Sequence, residues 1–438
     1  MSVFHLFLGS NLFAELRLEV EARIGTMHPD SSQSVYSETR TIRLLVLFGV
    51  WFVYFCFGLT IASMAPLISP ISAELGIGNS LMGLILGAWP LTYILAAIPS
   101  GVLLDRLGAR RMLVLACLIM AASGLARSYS ETPLQMLLAV ALFGIGGPMI
   151  SVGAPKIIAR LFKGKARATA MGIYVTGPYL GGILALSLTN SLVMPIVGED
   201  WRHAMQVYAL LVAFSGVIWF VIASHPAARR QSDESEGGQK FDLSAFLEIV
   251  RLLEVRLILT MSIGIFFINH GLNNWLPEIL RRHGFSAVDA GFWAAIPSSV
   301  GIFAALVIPR LAVPERRLAI MALLFLSSMT ASLLLQVSSG PLLITGLILQ
   351  GMARGAMMTV AILLLMETPR IPEERLGLAG GLFFTFAEIG GVLGPITFGV
   401  LSDLSDGFAL PLLVLTGVCA SLLAVLGALR HVTGRSVE

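Results

Sequence analysis

Long apolar runs separated by short polar segments dominate the chain. Each run has about the 20 residues that a helix needs to cross a hydrocarbon core about 30 Å thick, and none shows the alternation of a half-buried strand. The pattern predicts twelve spans, at residues 44–68, 80–104, 111–127, 134–155, 168–192, 203–223, 256–279, 289–309, 317–336, 341–366, 376–401 and 408–429. We therefore predict an all-α membrane protein with twelve transmembrane helices.

A polar stretch divides these spans into two sets of six. Residues 224–255 include "RRQSDESEGGQK", which is typical of a flexible linker, and end in a surface helix predicted to begin near Asp242. The first 26 residues lack signal-peptide features, and Met27 is a candidate start. The predicted units are an N-terminal cytoplasmic extension at 1–43, six-helix halves at 44–223 and 256–430, the cytoplasmic linker at 224–255 and a cytoplasmic tail at 431–438.

Charge indicates the orientation. Charged residues make up 13% of the chain, against about 25% in soluble domains. If both termini are cytoplasmic, all but five of the 29 Lys and Arg lie on that side, as the positive-inside rule expects. Because the basic residues lie between apolar runs and not on one solvated face, they do not indicate nucleic acid. We predict a multi-pass protein in the lipid bilayer of a plasma membrane or bacterial inner membrane.

The two halves resemble each other at a spacing of about 207–208 residues. This internal symmetry is expected of a transporter built from two repeats, with a substrate site near the middle of the bilayer. It favours transport by alternating access. The matched positions are Gly83 with Gly291, Gly144 with Gly351, Arg167 with Arg375, Gly172 with Gly380 and Gly182 with Gly390.

The segment after the second span, "GVLLDRLGARR", fits the pattern G-x3-D-R-x-G-x-R-R through Gly101, Asp105, Arg106, Gly108, Arg110 and Arg111. It resembles the signature loop between helices two and three of the major facilitator superfamily. The resemblance implies that family's twelve-helix fold and a gating role for these six residues, in which Asp105 helps to hold the cytoplasmic side shut. The corresponding stretch of the second half, "LVIPRLAVPERR", has no aspartate, so any such latch is asymmetric.

Two further motifs bear on the direction of transport. "GPYLGG" in span five supplies Gly177, Pro178, Gly181 and Gly182. It is similar to a motif of proton-coupled drug exporters, but Val140 stands where those exporters carry an arginine in span four. We interpret the glycines and proline mainly as a kink and packing element. "NHGLNNWLPEIL" and "EDWRHA" resemble segments of the cyanate-permease-like, small-anion uptake branch and favour uptake.

One arginine lies within an otherwise uncharged run, "LILQGMARGAMMTVAILLL". Arg354 is 13 residues from the start of its span, and a charge at the bilayer centre costs at least about 2.5–3.5 kcal/mol. Glu388 of span eleven lies at a similar depth, so a direct pair is feasible. Either the pair only joins two helices, or Arg354 binds an anionic group with its forked donors while Glu388 accepts a proton. We adopt the second as the working hypothesis.

Span seven adds a cluster of polar side chains, Asn269, His270, Asn273 and Asn274. Helical spacing puts Asn269 and Asn273 on one face, with the other two on the adjoining face. We predict that this cluster contacts substrate. His270 alone is explained equally well as a hydrogen-bonded interhelical residue or as a protonation site. Tyr54 is a further candidate, in an aromatic wall with Trp51, Trp89 and Tyr93.

Several classes of function are disfavoured. The chain contains no phosphate-binding loop, no HExxH or GxSxG motif and no cluster of Cys and His, so we predict no enzyme, cofactor or metal site. We predict proton-coupled uptake of a small organic or inorganic anion. Proton-driven export of a drug or metabolite is the alternative, and a sensor that binds without transporting is a third.

Overall fold

Twelve helices form the bundle, as predicted. The computed structural model describes residues 29–225, 243–368, 370–372 and 375–435. Within these residues twelve helices are long and apolar enough to span a membrane, and we number them α1 to α12: Thr41–Leu75, Asn79–Leu104, Arg106–Ser128, Pro133–Leu161, Gly164–Ile196, Trp201–Ser224, Leu253–Arg282, Ala287–Leu311, Arg317–Leu334, Pro341–Met366, Leu376–Ser405 and Ala409–Thr433. The candidate start at Met27 and most of the predicted linker lie outside the described residues.

Several boundaries differ from the prediction. The first helix already begins at Pro29, inside the predicted extension, and α1 continues through a 3₁₀ turn at Ala65–Leu67 into Ile68–Leu75. The turn accommodates Pro66, and Pro70 lies in the first turn of the following segment, where a missing N–H costs nothing. The surface helix of the linker is Leu243–Arg251, and its Glu248 pairs with Arg375 near the start of α11.

The signature segment is more helical than expected of a loop. Helical geometry runs from Asn79 to Ser128, through both α2 and α3, and departs only at Gly108, where φ is 76° and ψ is 153°. L-residues rarely adopt this conformation, because their Cβ would clash with the backbone. Gly108 is therefore the residue at which the continuous helix breaks, and it lies in the first turn of α3.

Glycines bring helix backbones together at equivalent places in the two halves. A Cβ at Gly144 of α4 would lie 2.1 Å from the carbonyl oxygen of Trp89 on α2. In the second half, a Cβ at Gly351 of α10 would lie 2.7 Å from the carbonyl oxygen of Pro297 on α8. The partners are 207 and 208 residues apart, which agrees with the predicted duplication. Neither glycine admits a side chain without moving a helix.

The two halves meet at the end of the bundle opposite the termini. A Cβ at Gly83 of α2 would lie 2.5 Å from the carbonyl oxygen of Pro395 on α11, and a Cβ at Gly291 of α8 would lie 2.2 Å from that of Leu186 on α5. Gly83 and Gly291 are a predicted repeat pair. The same symmetry therefore generates both contacts between the halves.

A carboxylate of one half also caps a helix of the other at this opposite end. Asp403 of α11 accepts hydrogen bonds from the backbone N–H groups of Asn79 (3.1 Å) and Ser80 (2.7 Å) and from the Ser80 hydroxyl (2.6 Å). These N–H groups begin α2 and have no partner within the helix, and a negative charge at a helix N-terminus is favourable. We call this contact the Asp403 cap.

The halves diverge toward the end that carries the termini. Gly101 lies five turns after Gly83 on the same face of α2, yet a Cβ at Gly101 would have no atom of the described residues within 4 Å. Gly172 of α5 and Gly381 of α11 have the same open surroundings. The bundle is therefore closed at the opposite end and open toward the terminal end.

Candidate functional site

Arg354 lies between the two halves. It is 13 residues into α10, about 20 Å along the helix at a rise of 1.5 Å per residue, and its Nη2 donates to Asn273 Oδ1 at 2.8 Å. Arg354 lines a small cavity, of about 10 Å³, with residues of α5, α7, α8 and α10. The other lining residues are Leu186, Leu272, Asn273, Leu276, Ala294, Pro297 and Gln350. Because Leu186 belongs to the first half, the guanidinium is at the interface between the halves.

Tyr179 brings the first half close to this arginine. A Cβ at Gly301 of α8 would lie 3.4 Å from the Tyr179 ring, 3.5 Å from the carbonyl oxygen of Gly351 and 3.7 Å from the Cα atom of Gly355. Gly351 and Gly355 lie on either side of Arg354 in α10. The phenol and the guanidinium are within electrostatic range of each other. Tyr179 was not among the predicted residues, because it lies within a motif whose glycines and proline were interpreted as packing positions.

Glu388 and His270 form a second polar cluster. Glu388 is 5% exposed, its Oε2 has no hydrogen-bond partner in the described part of the chain, and it lies 4.0 Å from His270 Nδ1. Gly391 makes room for both, since a Cβ there would lie 2.5 Å from the carboxylate and 2.8 Å from the ring nitrogen. His270 stacks on Trp89 of α2, with ring centroids 5.2 Å apart. This cluster also lies at the interface between the halves.

The direct pair between Arg354 and Glu388, which the sequence made feasible, is not formed between these two described residues. The structure gives each charge a different partner on α7: Arg354 reaches Asn273, and Glu388 faces His270. The partners are three residues apart, so they lie on adjoining faces of one helix. α7 therefore links the two polar clusters, and the charges do not neutralise each other by direct contact.

The other polar residues predicted on α7 have different surroundings. Asn274 is 2% exposed and donates to the carbonyl oxygen of His270 at 2.8 Å, so its amide serves the helix itself. Asn269 is half-buried, and its Oδ1 has no partner among the described residues. Of the four predicted residues, only Asn273 lines the Arg354 cavity.

Tyr54 does not line the cavity either. Its ring stacks on Tyr174 of α5, with centroids 5.2 Å apart, and on Phe57, at 5.6 Å. The predicted aromatic wall is partly formed, because Trp89 and Tyr93 contact edge to face at 6.3 Å. Trp51 instead donates to the Thr176 hydroxyl.

Most of the signature residues lie near the terminal end. The side chain of Asp105 is outside the part that the structure describes, so its latch role stays a prediction. Arg106 and Arg111 are exposed, while Arg110 donates to the Ser224 hydroxyl at 3.3 Å and its carbonyl oxygen accepts from Trp219. These contacts join α3 to α6 within the first half.

The GPxxGG residues pack α5 against α1. Cβ atoms at Gly177 and Gly181 would lie 2.9 Å and 2.1 Å from the carbonyl oxygens of Trp51 and Phe55. Gly58 makes the reciprocal contact, 2.2 Å from the carbonyl oxygen of Pro178. Gly182 is less crowded, with Ala62 at 3.7 Å. This geometry agrees with the interpretation of the motif as a packing element.

Comparisons with known proteins give the family and the fold. The family model described as Major Facilitator Superfamily matches residues 50–395. The uncharacterized transporter YycB of Bacillus subtilis (strain 168) is 25% identical over 389 residues, 88% of this chain and 92% of that protein. The probable galactarate/D-glucarate transporter GudP of Escherichia coli (strain K12) is 24% identical over 400 residues, 82% and 87% of the two chains. A crystal structure of nucleoside transporter NupG has a TM-score of 0.70 at 17% identity, covering 89% and 98%, and supports the fold.

Proposed function

Because the chain belongs to the major facilitator superfamily, we propose that it is a secondary transporter that takes up a small organic anion together with protons. One observation supports the proposal that the substrate is an anion. Arg354 is at the middle of a membrane-spanning helix, in a cavity between the two halves. Among the described residues its hydrogen-bonding partner is an amide oxygen and not a carboxylate. An arginine whose charge is not neutralised at this depth favours an anion as the missing partner.

The relatives favour a carboxylate as that anion. GudP is named for galactarate and D-glucarate, which are hydroxylated dicarboxylates, and the forked guanidinium matches carboxylate geometry. We therefore propose a sugar-acid type of substrate. The narrower resemblance to the cyanate-permease-like branch stays a prediction.

Glu388 is the proposed proton acceptor. Its carboxylate is buried, has Oε2 unpartnered within the described residues and is 4.0 Å from an imidazole that stacks on the other half. A change of charge there alters the contact between α7, α11 and α2, which is what coupling requires. In this proposal coupling passes through α7, from His270 to Asn273, and not through competition for one arginine.

The open and closed ends support alternating access. If the termini are cytoplasmic, as the distribution of Lys and Arg predicts, the structure corresponds to an inward-open state. Its outer end is closed by the Asp403 cap and by the contacts at Gly83 and Gly291. Opening the other way requires these contacts to break. The proposed location is the cytoplasmic membrane, with both termini on the cytoplasmic side.

Accumulation in proteoliposomes tests the proposal. Purified protein is reconstituted with an alkaline interior and supplied separately with D-glucarate, galactarate, cyanate, nitrate or a cationic drug, with protein-free liposomes as the control. We expect the sugar acids to accumulate above the external concentration until a protonophore is added. Extrusion of the drug from loaded vesicles would favour the exporter alternative, and binding without counterflow would favour a sensor.

A further inference from the structure

Gln350 shares the cavity of Arg354. It precedes Arg354 by one turn of α10, so the two side chains project from the same side of the helix, and both line the cavity with Asn273. Gln350 is 1% exposed. The other five lining residues, from α5, α7 and α8, have apolar side chains. Polar groups therefore occupy only the side of the cavity formed by α7 and α10.

The Gln350 amide is held at one end and lacks a partner at the other. Its Oε1 accepts from the Ser328 hydroxyl of α9 at 3.3 Å, and Ser328 is itself fully buried. Its Nε2 is buried without a hydrogen-bond partner in the described part of the chain. A buried donor without an acceptor is destabilising unless it serves another purpose. The serine orients the amide, and none of the described residues supplies an acceptor for its Nε2.

We propose that Gln350 determines specificity by donating its Nε2–H to a hydroxyl oxygen of the substrate. This inference rests on the proposed function, because it assumes a carboxylate held by Arg354. Side chains one turn apart on a helix are about 5–6 Å apart at Cβ, which suits a hydroxyl on one of the carbons next to that carboxylate. The preferred ligand class is thus a hydroxylated carboxylate, and a carboxylate with a plain hydrocarbon chain is disfavoured.

The small volume of the cavity is consistent with this role. Its room of about 10 Å³ is that of about one water molecule, so a substrate requires the walls to separate. Leu186 lies directly at the contact between α5 and α8, where Gly291 touches its carbonyl oxygen. Opening the bundle at that end withdraws this wall, while Gln350, Asn273 and Arg354 stay together in the second half.

A selectivity ratio tests the proposal. D-Glucarate and adipate have the same six-carbon dicarboxylate skeleton, with and without hydroxyl groups, and each competes with labelled D-glucarate for binding to the purified protein. The wild type should prefer D-glucarate by at least about tenfold, since a site with a buried donor rejects an analogue that leaves it unpaired. Gln350→Met keeps the length of the side chain but removes the donor. It should lower this ratio about tenfold, with the affinity for adipate changed less than threefold.

A second variant tests the same role if Gln350→Met fails to fold. Ser328→Ala keeps the amide but frees its orientation, and it should lower the ratio by a smaller factor, about two- to fivefold. An unchanged ratio in a folded Gln350→Met protein, or an equal loss of affinity for both anions, would overturn the role of Gln350 and leave the proposed function intact. If the wild type bound neither anion, the proposed function would fail and this inference with it.

Discussion

Replacement of Arg354 by Gln should remove most of the affinity for a carboxylate without unfolding the protein. Gln keeps one donor, so Asn273 Oδ1 can retain a hydrogen bond, but the charge and the second arm of the fork are lost. A hydrogen bond to a charged group contributes about 1.5–3 kcal/mol. At 1.4 kcal/mol per factor of ten, the dissociation constant for D-glucarate should rise about 10- to 150-fold.

Thermal stability provides the internal control. Arg354 places a charge at a depth that costs about 2.5–3.5 kcal/mol on insertion scales, so its removal should leave the melting temperature of the unliganded protein unchanged or raise it. Arg354→Lys keeps the charge without the fork and should lose affinity by an intermediate factor. Calorimetric titration of the three proteins with D-glucarate gives the constants. An unchanged dissociation constant in Arg354→Gln would refute the assignment of Arg354 as the anion anchor.

Three further substitutions probe the coupling and the closed end. Glu388→Gln should abolish accumulation driven by a pH gradient while D-glucarate counterflow continues; loss of both would make Glu388 a structural residue. Gly391→Ala should impair transport severely, because the new Cβ collides with Glu388 and His270, whereas Gly381→Ala on the same helix, in open space, should be neutral in the same uptake assay. Asp403→Ala should increase several-fold the labelling of an Ala294→Cys variant by an impermeant maleimide, because the cap no longer holds α2 against α11. Equal labelling would show that the cap does not control closure.

The sequence predicted the features that follow from hydrophobic periodicity and from the free-energy cost of placing a charge in the bilayer. Twelve apolar runs and a repeat of 207–208 residues were enough for the helix count, the two-half architecture and the register that matches the glycines of the two halves, whereas the backbone contacts at those glycines came from the structure. Arg354 was identifiable because a charge in a long apolar run is expensive wherever it points. Its depth followed directly from its distance from Pro341.

The partners of these charges were not predictable in the same way. A single sequence gives the depth of Arg354 and Glu388 but not the rotation of α10 and α11 about their axes. A direct pair between the two charges was therefore feasible from the sequence, although α7 supplies a different partner for each. Gln350 is uncharged, so the sequence does not distinguish it within its apolar run. In the structure it is distinguished by an amide nitrogen that has no hydrogen-bond partner among the described residues. Asp403 lies at a predicted helix end, where an acidic residue is ordinary, and its contact with the start of α2 depends on how the halves meet.

Substrate-driven proton movement is the most direct test of coupled anion uptake. Proteoliposomes with a pH-sensitive dye inside receive external D-glucarate without an imposed pH gradient. We expect the interior to become more acidic as labelled D-glucarate enters, and we expect this acidification to disappear in Glu388→Gln. Entry of D-glucarate at the normal rate with no change of internal pH would contradict proton coupling.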